Sequence, residues 1–253
     1  MPLRDSPLLA PLLAASIWGG MYVVSKWGFA QIPPLTLVTM RAVLGAAVLL
    51  PLVWVVKPSR SFSRRDWRGF AGLAALLAVS LAAQFLGTDL TTAAQGSLIT
   101  VLTPVFTVAL GVAVLGESLG SRKAVGILLA TVGTGVVLAG RYTLADLASD
   151  ALVGPTLLVV AAATFAGYTA FGKRLIRTYS ALETATYATA LAVPLFALGA
   201  LAELTLTDAS LGAIAWSPAL VAAVAYLGVV STALAWYLWY KAVSYTHPTL
   251  PTP

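Results

Sequence analysis

The chain has 253 residues, of which 59% are hydrophobic and 9% charged, with a formal net charge of +6 and a mean hydropathy of +0.91. Soluble domains carry about 25% charged residues, so too little polar surface is left to coat a globule in water, and the expected fold class is an all-α integral membrane protein. Lysine and arginine sit in short loops rather than on one face, which excludes nucleic acid as a partner, while the absence of cysteine and the single histidine, His247, leave no expectation of a disulfide, a metal site or a cofactor.

About 20 apolar residues cross the hydrocarbon core as a helix. In chain order the runs that qualify are Ser6 to Ser25, Pro34 to Val56 interrupted by Arg41, Gly69 to Thr88, Thr92 to Gly116, Ala124 to Gly140, Leu152 to Gly172, Thr184 to Ala202, and Pro218 to Tyr240. The first begins like a signal peptide, but its apolar stretch runs on through Trp18 to Ser25, which is long enough to span.

The connections alternate in charge. Lys57, Arg60, Arg64, Arg65 and Arg68 fill the second, Arg122 and Lys123 the fourth, and Lys173, Arg174 and Arg177 the sixth. The odd-numbered connections hold Asp89, Asp146, Asp150, Glu203 and Asp208, with Lys26 and Arg141 their only basic residues. Because positive loops stay on the cytoplasmic side, this pattern predicts a cytoplasmic N-terminus and a multi-pass protein of the inner (plasma) membrane. Trp27, Trp54, Trp67 and Trp216 fall near span ends, where an indole prefers the headgroup layer.

Sliding the chain on itself by 147 residues sets Trp18-Gly19-Gly20-Met21-Tyr22 against Phe165-Ala166-Gly167-Tyr168-Thr169, and Pro34 to Leu52 against Ala181 to Gly199. With a few extra residues, Ala83-Gln84-Phe85-Leu86 meets Ala235-Trp236-Tyr237-Leu238. Span one then corresponds to span six, five spans on. An odd offset makes the second copy enter from the opposite side, which is the inverted repeat of secondary transporters with a midplane site between two halves.

Ile17-Trp18-Gly19-Gly20 in the first span, Arg41 in the second, Leu102-Thr103-Pro104 with Leu115-Gly116-Glu117 in the fourth, and Gly126 to Gly135 in the fifth carry a family resemblance. The chain resembles EamA-type members of the drug/metabolite transporter superfamily from residue 7 to about 243. The resemblance implies ten helices in two five-helix bundles, cytoplasmic termini, and export of small metabolites such as amino acids. It also implies a first repeat over 7–140 and a second, incomplete one over 152–243, so that about eight of ten helices are present. Residues 244–253, with three prolines in six residues, cannot make a span and read as a non-native tail on a truncated chain, the alternative being a natural eight-helix variant with a proline-rich tail.

A solute site needs polar or aromatic groups facing a cavity. In the first span Trp18, Tyr22 and Ser25 share a helical face, as do Ser80, Gln84 and Thr88 in the third. Thr92, Gly96, Thr100, Thr103, Thr107 and Gly111 form a small and polar stripe on the fourth, which serves either close helix packing or cavity lining. Gln95 lies beside it near the outer mouth. An amide such as that of Gln84, buried at membrane depth, must find partners, and a substrate carboxylate or ammonium would serve. Phe165 and Tyr168 recur in the sixth span, and Tyr226, Trp236 and Tyr237 in the eighth offer stacking surfaces, with Trp239 and Tyr240 explained equally well by an interfacial belt. Arg41 either snorkels to the interface or serves as a counter-ion, with Asp89 as a possible ion-pair partner. Glu117, Arg122 and Lys123 suit a helix-end ion network, and Pro104 in mid-span suits a hinge.

The first span lacks an acidic residue of the kind that couples compact four-helix antiporters. No nucleophile, metal cluster or acid/base pair stands at membrane depth, so an embedded enzyme is disfavoured. The function these features favour is a secondary transporter exporting small amino-acid-like or amphiphilic solutes, with a small molecule and the lipid bilayer as partners. The alternative is a non-transporting fragment or scaffold.

Overall fold

The computed structural model describes residues 9–56, 61–116, 118–141 and 150–239, and within them the chain is all-helical. Glu117, Lys57, Arg60, Asp146, Tyr240 and the tail from residue 244 lie outside the described residues.

Short polar residues decide where helices begin. Ser63 with Asp66, Thr92 with Gln95, and Ser180 with Glu183 form reciprocal capping boxes that satisfy the first free N–H groups of α3 (Arg64–Asp89), α4 (Ala93–Thr100) and α8 (Ala181–Leu206). Helix α1 covers Leu9–Gly28 and α2 covers Pro34–Val56, the latter opening on a proline whose missing N–H would be unpaired there anyway. Helix α5 covers Thr103–Leu115 and stops at Gly116, whose φ of 67° is the left-handed cap that glycine adopts freely. Then follow α6 (Ser121–Ala139), α7 (Val153–Thr178) and α9 (Pro218–Ala225). Helix α9 does not end but widens into a π-helix over Tyr226–Leu234 before returning to α over 235–239.

Among the described residues seven stretches are long and apolar enough to cross a membrane, from Pro34–Val56 to Pro218–Trp239. Helix α1 is 20 residues long but is diluted by Pro11, Gly19, Gly20 and Lys26. The fourth run is not one helix as its apolar length predicts. It breaks between α4 and α5, where Val101 and Leu102 donate to Leu98 and Ile99 in a tight turn. Pro104 is the cause: it has no N–H to give the Thr100 carbonyl, and it sits instead in the first turn of α5, where none is needed. Glu203, expected in a loop, lies inside the last turn of α8.

The long helices pack α3 on α7, α2 on α8, α3 on α8, α2 on the π-helix and α1 on the π-helix. Direction follows from the contacts. Tyr22 and Lys26 of α1 meet Gln84 and Asp89 of α3 in ascending order, so α1 and α3 run the same way. Along α3 and α7 the order is reversed: Gly87 abuts Leu158, Ser80 bonds Ala161, Leu76 faces Gly167 and Gly69 faces Leu175. Helix α7 therefore runs opposite to α1, its repeat mate.

The connections sort by parity in the same way. Lys26 reaches Asp89, Leu90 and Thr91 touch Gly154, and Leu35 bonds Glu203, which gathers the first, third, fifth and seventh connections at one end. At the other end the rings of Phe62 and Tyr179, from the second and sixth, lie 5.1 Å apart, and Arg65, Arg68 and Arg174 line a common cavity of about 300 Å³.

Two crossings depend on glycine for close approach. A Cβ on Gly87 would stand 2.8 Å from Leu158 Cγ and 2.9 Å from the Gly154 carbonyl oxygen, and one on Gly45 would stand 2.5 Å from Thr232 Cγ2. Small residues let helix backbones meet without a hydrophobic drive between them. Helix α6, by contrast, leaves Val125, Leu128, Leu129, Val132 and Val136 exposed along its length, a surface suited to lipid.

Candidate functional site

A cavity of about 330 Å³ lies between the two halves. Helix α1 contributes Trp18, Met21 and Tyr22; α2 contributes Val38, Arg41 and Ala42; and α3 contributes Leu77, Ser80, Leu81 and Gln84. Thr100, Thr103 and Pro104 enter at the α4–α5 break. The second half supplies Ala161 and Phe165 from α7, Thr189 and Phe196 from α8, and Thr232, Trp236 and Trp239 from the π-helix and the turn after it. The volume falls at the lower end of small-ligand pockets, about 300–1,000 Å³.

Three polar groups are joined in a chain. Thr100 Oγ1 donates to the Gly96 carbonyl at 2.9 Å, a back-bond that spends its only hydrogen. Tyr22 Oη shares a hydrogen bond with Thr100 Oγ1, at 2.6 Å. Gln84 Nε2 donates in turn to the tyrosine oxygen. Gln84 lines the cavity, and with one N–H given to Tyr22 its amide keeps an acceptor oxygen and a second N–H.

The aromatic wall is built behind this chain. Trp18 Nε1 donates to the Ser231 carbonyl of the π-helix at 3.1 Å, which spends its polar edge on the protein and leaves the ring for the cavity. Its centroid lies 5.3 Å from Trp236 and 5.5 Å from Trp239, in edge-on and tilted contact. Phe165 lies 6.1 Å from Trp236 and stacks on Tyr168 at 5.5 Å. Edge-on and offset contacts at these separations are the arrangements aromatic rings favour.

Arg41 is the charged member. It is 4% exposed and does not snorkel. Its Nε donates to Thr232 Oγ1 at 2.9 Å and a terminal nitrogen to Met21 Sδ at 2.7 Å, and its guanidinium lies 5.7 Å from the Phe85 ring centroid. Thr232 can accept because its own hydrogen goes to the Leu227 carbonyl five residues back, the spacing a π-helix creates. The expected pairing of Arg41 with Asp89 does not form: Asp89 Oδ1 lies 3.9 Å from Lys26 Nζ at the end of α1, and Lys26 also bonds the Asp89 carbonyl. The α1 terminus puts an ammonium beside Asp89, while Arg41 bonds Thr232 and Met21 instead.

Of the other sequence candidates, Trp18, Tyr22, Gln84, Thr100, Thr103, Phe165 and Trp236 meet at this cavity, and Pro104 marks the break beside it. Tyr168 stands behind Phe165 as support. Gln95 is instead the N3 partner of Thr92 in the α4 capping box, with both Thr92 donors at 3.2 Å. Tyr226 turns its hydroxyl to the Ile17 carbonyl at 2.8 Å and pins α1 to the π-helix. Tyr237 is 42% exposed on the outer surface. The fourth-span stripe divides between its two readings: Gly96 packs under Tyr22 and Thr88, whereas Thr100 and Thr103 face the cavity.

Met21, Val38, Ala42, Thr189, Phe196 and Thr232 were not legible as site residues from helical spacing alone. A signal was present for three of them. Ala42 and Thr189 are repeat mates, as are Ser80 and Thr232, and all four line the cavity.

The sequence model of the EamA-like transporter family matches residues 6–139 and 152–252. An uncharacterized transporter of Archaeoglobus fulgidus is 30% identical over 240 residues, covering 92% of this chain and 78% of that protein. The uncharacterized transporter YetK of Bacillus subtilis is 28% identical over 240 residues, covering 91% and 69%. A solved crystal structure matches with a TM-score of 0.66 at 20% identity, over 92% of this chain and 78% of that one, a likeness of fold.

Proposed function

We propose a transport cycle for this chain, which belongs to the EamA-like transporter family and with it to the drug/metabolite transporter superfamily: a small amphiphilic metabolite, amino-acid-like in size, is exported across the inner membrane by alternating access. The N-terminus is cytoplasmic in this reading, with the Arg65 and Arg174 end facing the cytoplasm.

The observation that carries the proposal is the cavity itself, walled by repeat mates from two oppositely directed halves. A solute held there touches both halves at once, so rocking one against the other can expose it to either side without a continuous pore. The α4–α5 break supplies a joint at the cavity edge. Gln84 orients the polar end of the solute, and Trp18, Phe165 and Trp236 hold its apolar body.

The test is flux of radiolabelled phenylalanine and 4-phenylbutyrate from proteoliposomes. The protein is expected to raise release of at least one above that from empty liposomes, and Gln84→Ala and Trp236→Ala to bring it back towards that background. Release no faster than from empty liposomes, or unaltered by both substitutions, would contradict the proposal.

A further inference from the structure

Arg41 carries a full charge at membrane depth without a compensating anion. Among the described residues it has no ion pair, and it is the only formally charged residue lining the cavity. None of the acids of the described α-helices lines the cavity, and each is engaged elsewhere. Asp89 pairs with Lys26, Glu203 accepts from Leu35 and Thr36, Glu183 closes the α8 capping box, and Asp66 closes that of α3. A guanidinium has five N–H donors. Thr232 and Met21 take two, and a thioether is a weak acceptor.

We propose that the cavity selects monoanions, with the Arg41 guanidinium receiving a carboxylate and the Gln84 amide a second polar atom, while the aromatic wall holds an apolar body. The inference rests on the transport reading of the same cavity and names its substrate class. A zwitterion would bring an ammonium for which the cavity has no carboxylate, and a cation would meet Arg41 as a like charge. Arginine suits the task better than lysine because its planar fork can give two parallel hydrogen bonds to one carboxylate. Met21 then acts as a yielding placeholder, soft enough to be displaced when the anion arrives.

The experiment measures binding to the full chain in nanodiscs by the fluorescence of the cavity tryptophans. The probes are 4-phenylbutyrate, the neutral 4-phenylbutyramide, 4-phenylbutylamine and phenylalanine. The expected result is that the carboxylate binds about tenfold more tightly than the amide, with the amine and phenylalanine weaker than the carboxylate. In Arg41→Gln the carboxylate-to-amide ratio falls to about one. Should Arg41→Gln fail to fold, judged by its thermal melt, Met21→Glu decides the matter, since it supplies a carboxylate beside the guanidinium and is expected to abolish the preference. Equal binding of carboxylate and amide to the unaltered protein, or a preference that persists in the folded variant, overturns the monoanion inference and leaves the transport cavity standing. If none of the four probes binds, the cavity reading falls and the inference with it.

Discussion

Glu203, in the last turn of α8, caps the start of α2 at Thr36: its carboxylate accepts from the Thr36 backbone N–H at 2.8 Å and from the Thr36 hydroxyl at 3.0 Å, and from the Leu35 N–H at 3.0 Å. An anion at a helix N-terminus meets free N–H groups and the positive end of the helix dipole. The bond joins the two halves at one membrane face, next to the α2–α8 contact. Glu203→Ala is expected to lower stability by about 1–2 kcal/mol, with Glu203→Gln recovering part of the loss. Thermal or denaturant unfolding in lipid nanodiscs reads it, and equal melting of all three proteins would show that the cap contributes nothing.

Tyr22 is the middle of the polar chain from Gln84 to Gly96. Tyr22→Phe keeps the ring but leaves the Gln84 N–H and Thr100 Oγ1 facing each other across the gap where the oxygen stood. Solute affinity is expected to weaken roughly five- to tenfold, the effect of one lost buried hydrogen bond, while the fold is retained. An affinity equal to that of the unaltered protein, measured by the same fluorescence titration, would remove the chain from the site.

Pro104 separates α4 from α5 without straining either. Pro104→Ala gives residue 104 an N–H directed at the Thr100 carbonyl, and the expected outcome is a continuous helix through 101–104 with slower transport. Stability is expected to change by less than about 1 kcal/mol. Amide exchange over residues 100–106 together with flux would test this; unchanged exchange and unchanged flux would discard the hinge.

The parity of the connections makes a topological prediction. The chain has no cysteine, so single cysteines can be placed at will. Arg65→Cys and Arg177→Cys are expected to react with an impermeant maleimide from the same side, and Asp89→Cys and Asp208→Cys from the other. Arg65→Cys and Arg177→Cys reacting from opposite sides would dissolve the inverted arrangement.

Much of this fold was legible in the sequence, because a helix in lipid must be long, apolar and internally bonded, and those demands leave a countable pattern. Alternating loop charge and the offset repeat likewise anticipated that α7 runs against α1. The break in the fourth span was less legible: its hydropathy is continuous, and only Pro104 marked it, while the break itself falls two residues earlier. Residues chosen for polarity at helical spacing line the cavity only where a partner helix faces them. Gln95 has the same chemistry as Gln84, but it sits at N3 of a helix behind a threonine, and the local cap claims it. Thr232 and Thr189 were missed because each looks like an ordinary small residue on its own helix. Their positions emerge when the halves are superposed: Ser80 and Gln84 map onto Thr232 and Trp236 with one offset, and Trp18 and Ala42 onto Phe165 and Thr189 with the other. A pseudo-symmetric cavity is lined by mates, so the repeat was a better guide to it than the polarity of single residues.

The proposed transport cycle requires one cavity to open to each side in turn. Thr103→Cys places a single thiol on its wall, at the start of α5. In oriented proteoliposomes, a membrane-impermeant thiol reagent is expected to modify it when added to either face, and saturating 4-phenylbutyrate is expected to protect it from both. Modification from one face only, or an equal rate with and without the solute, would contradict alternating access through this site.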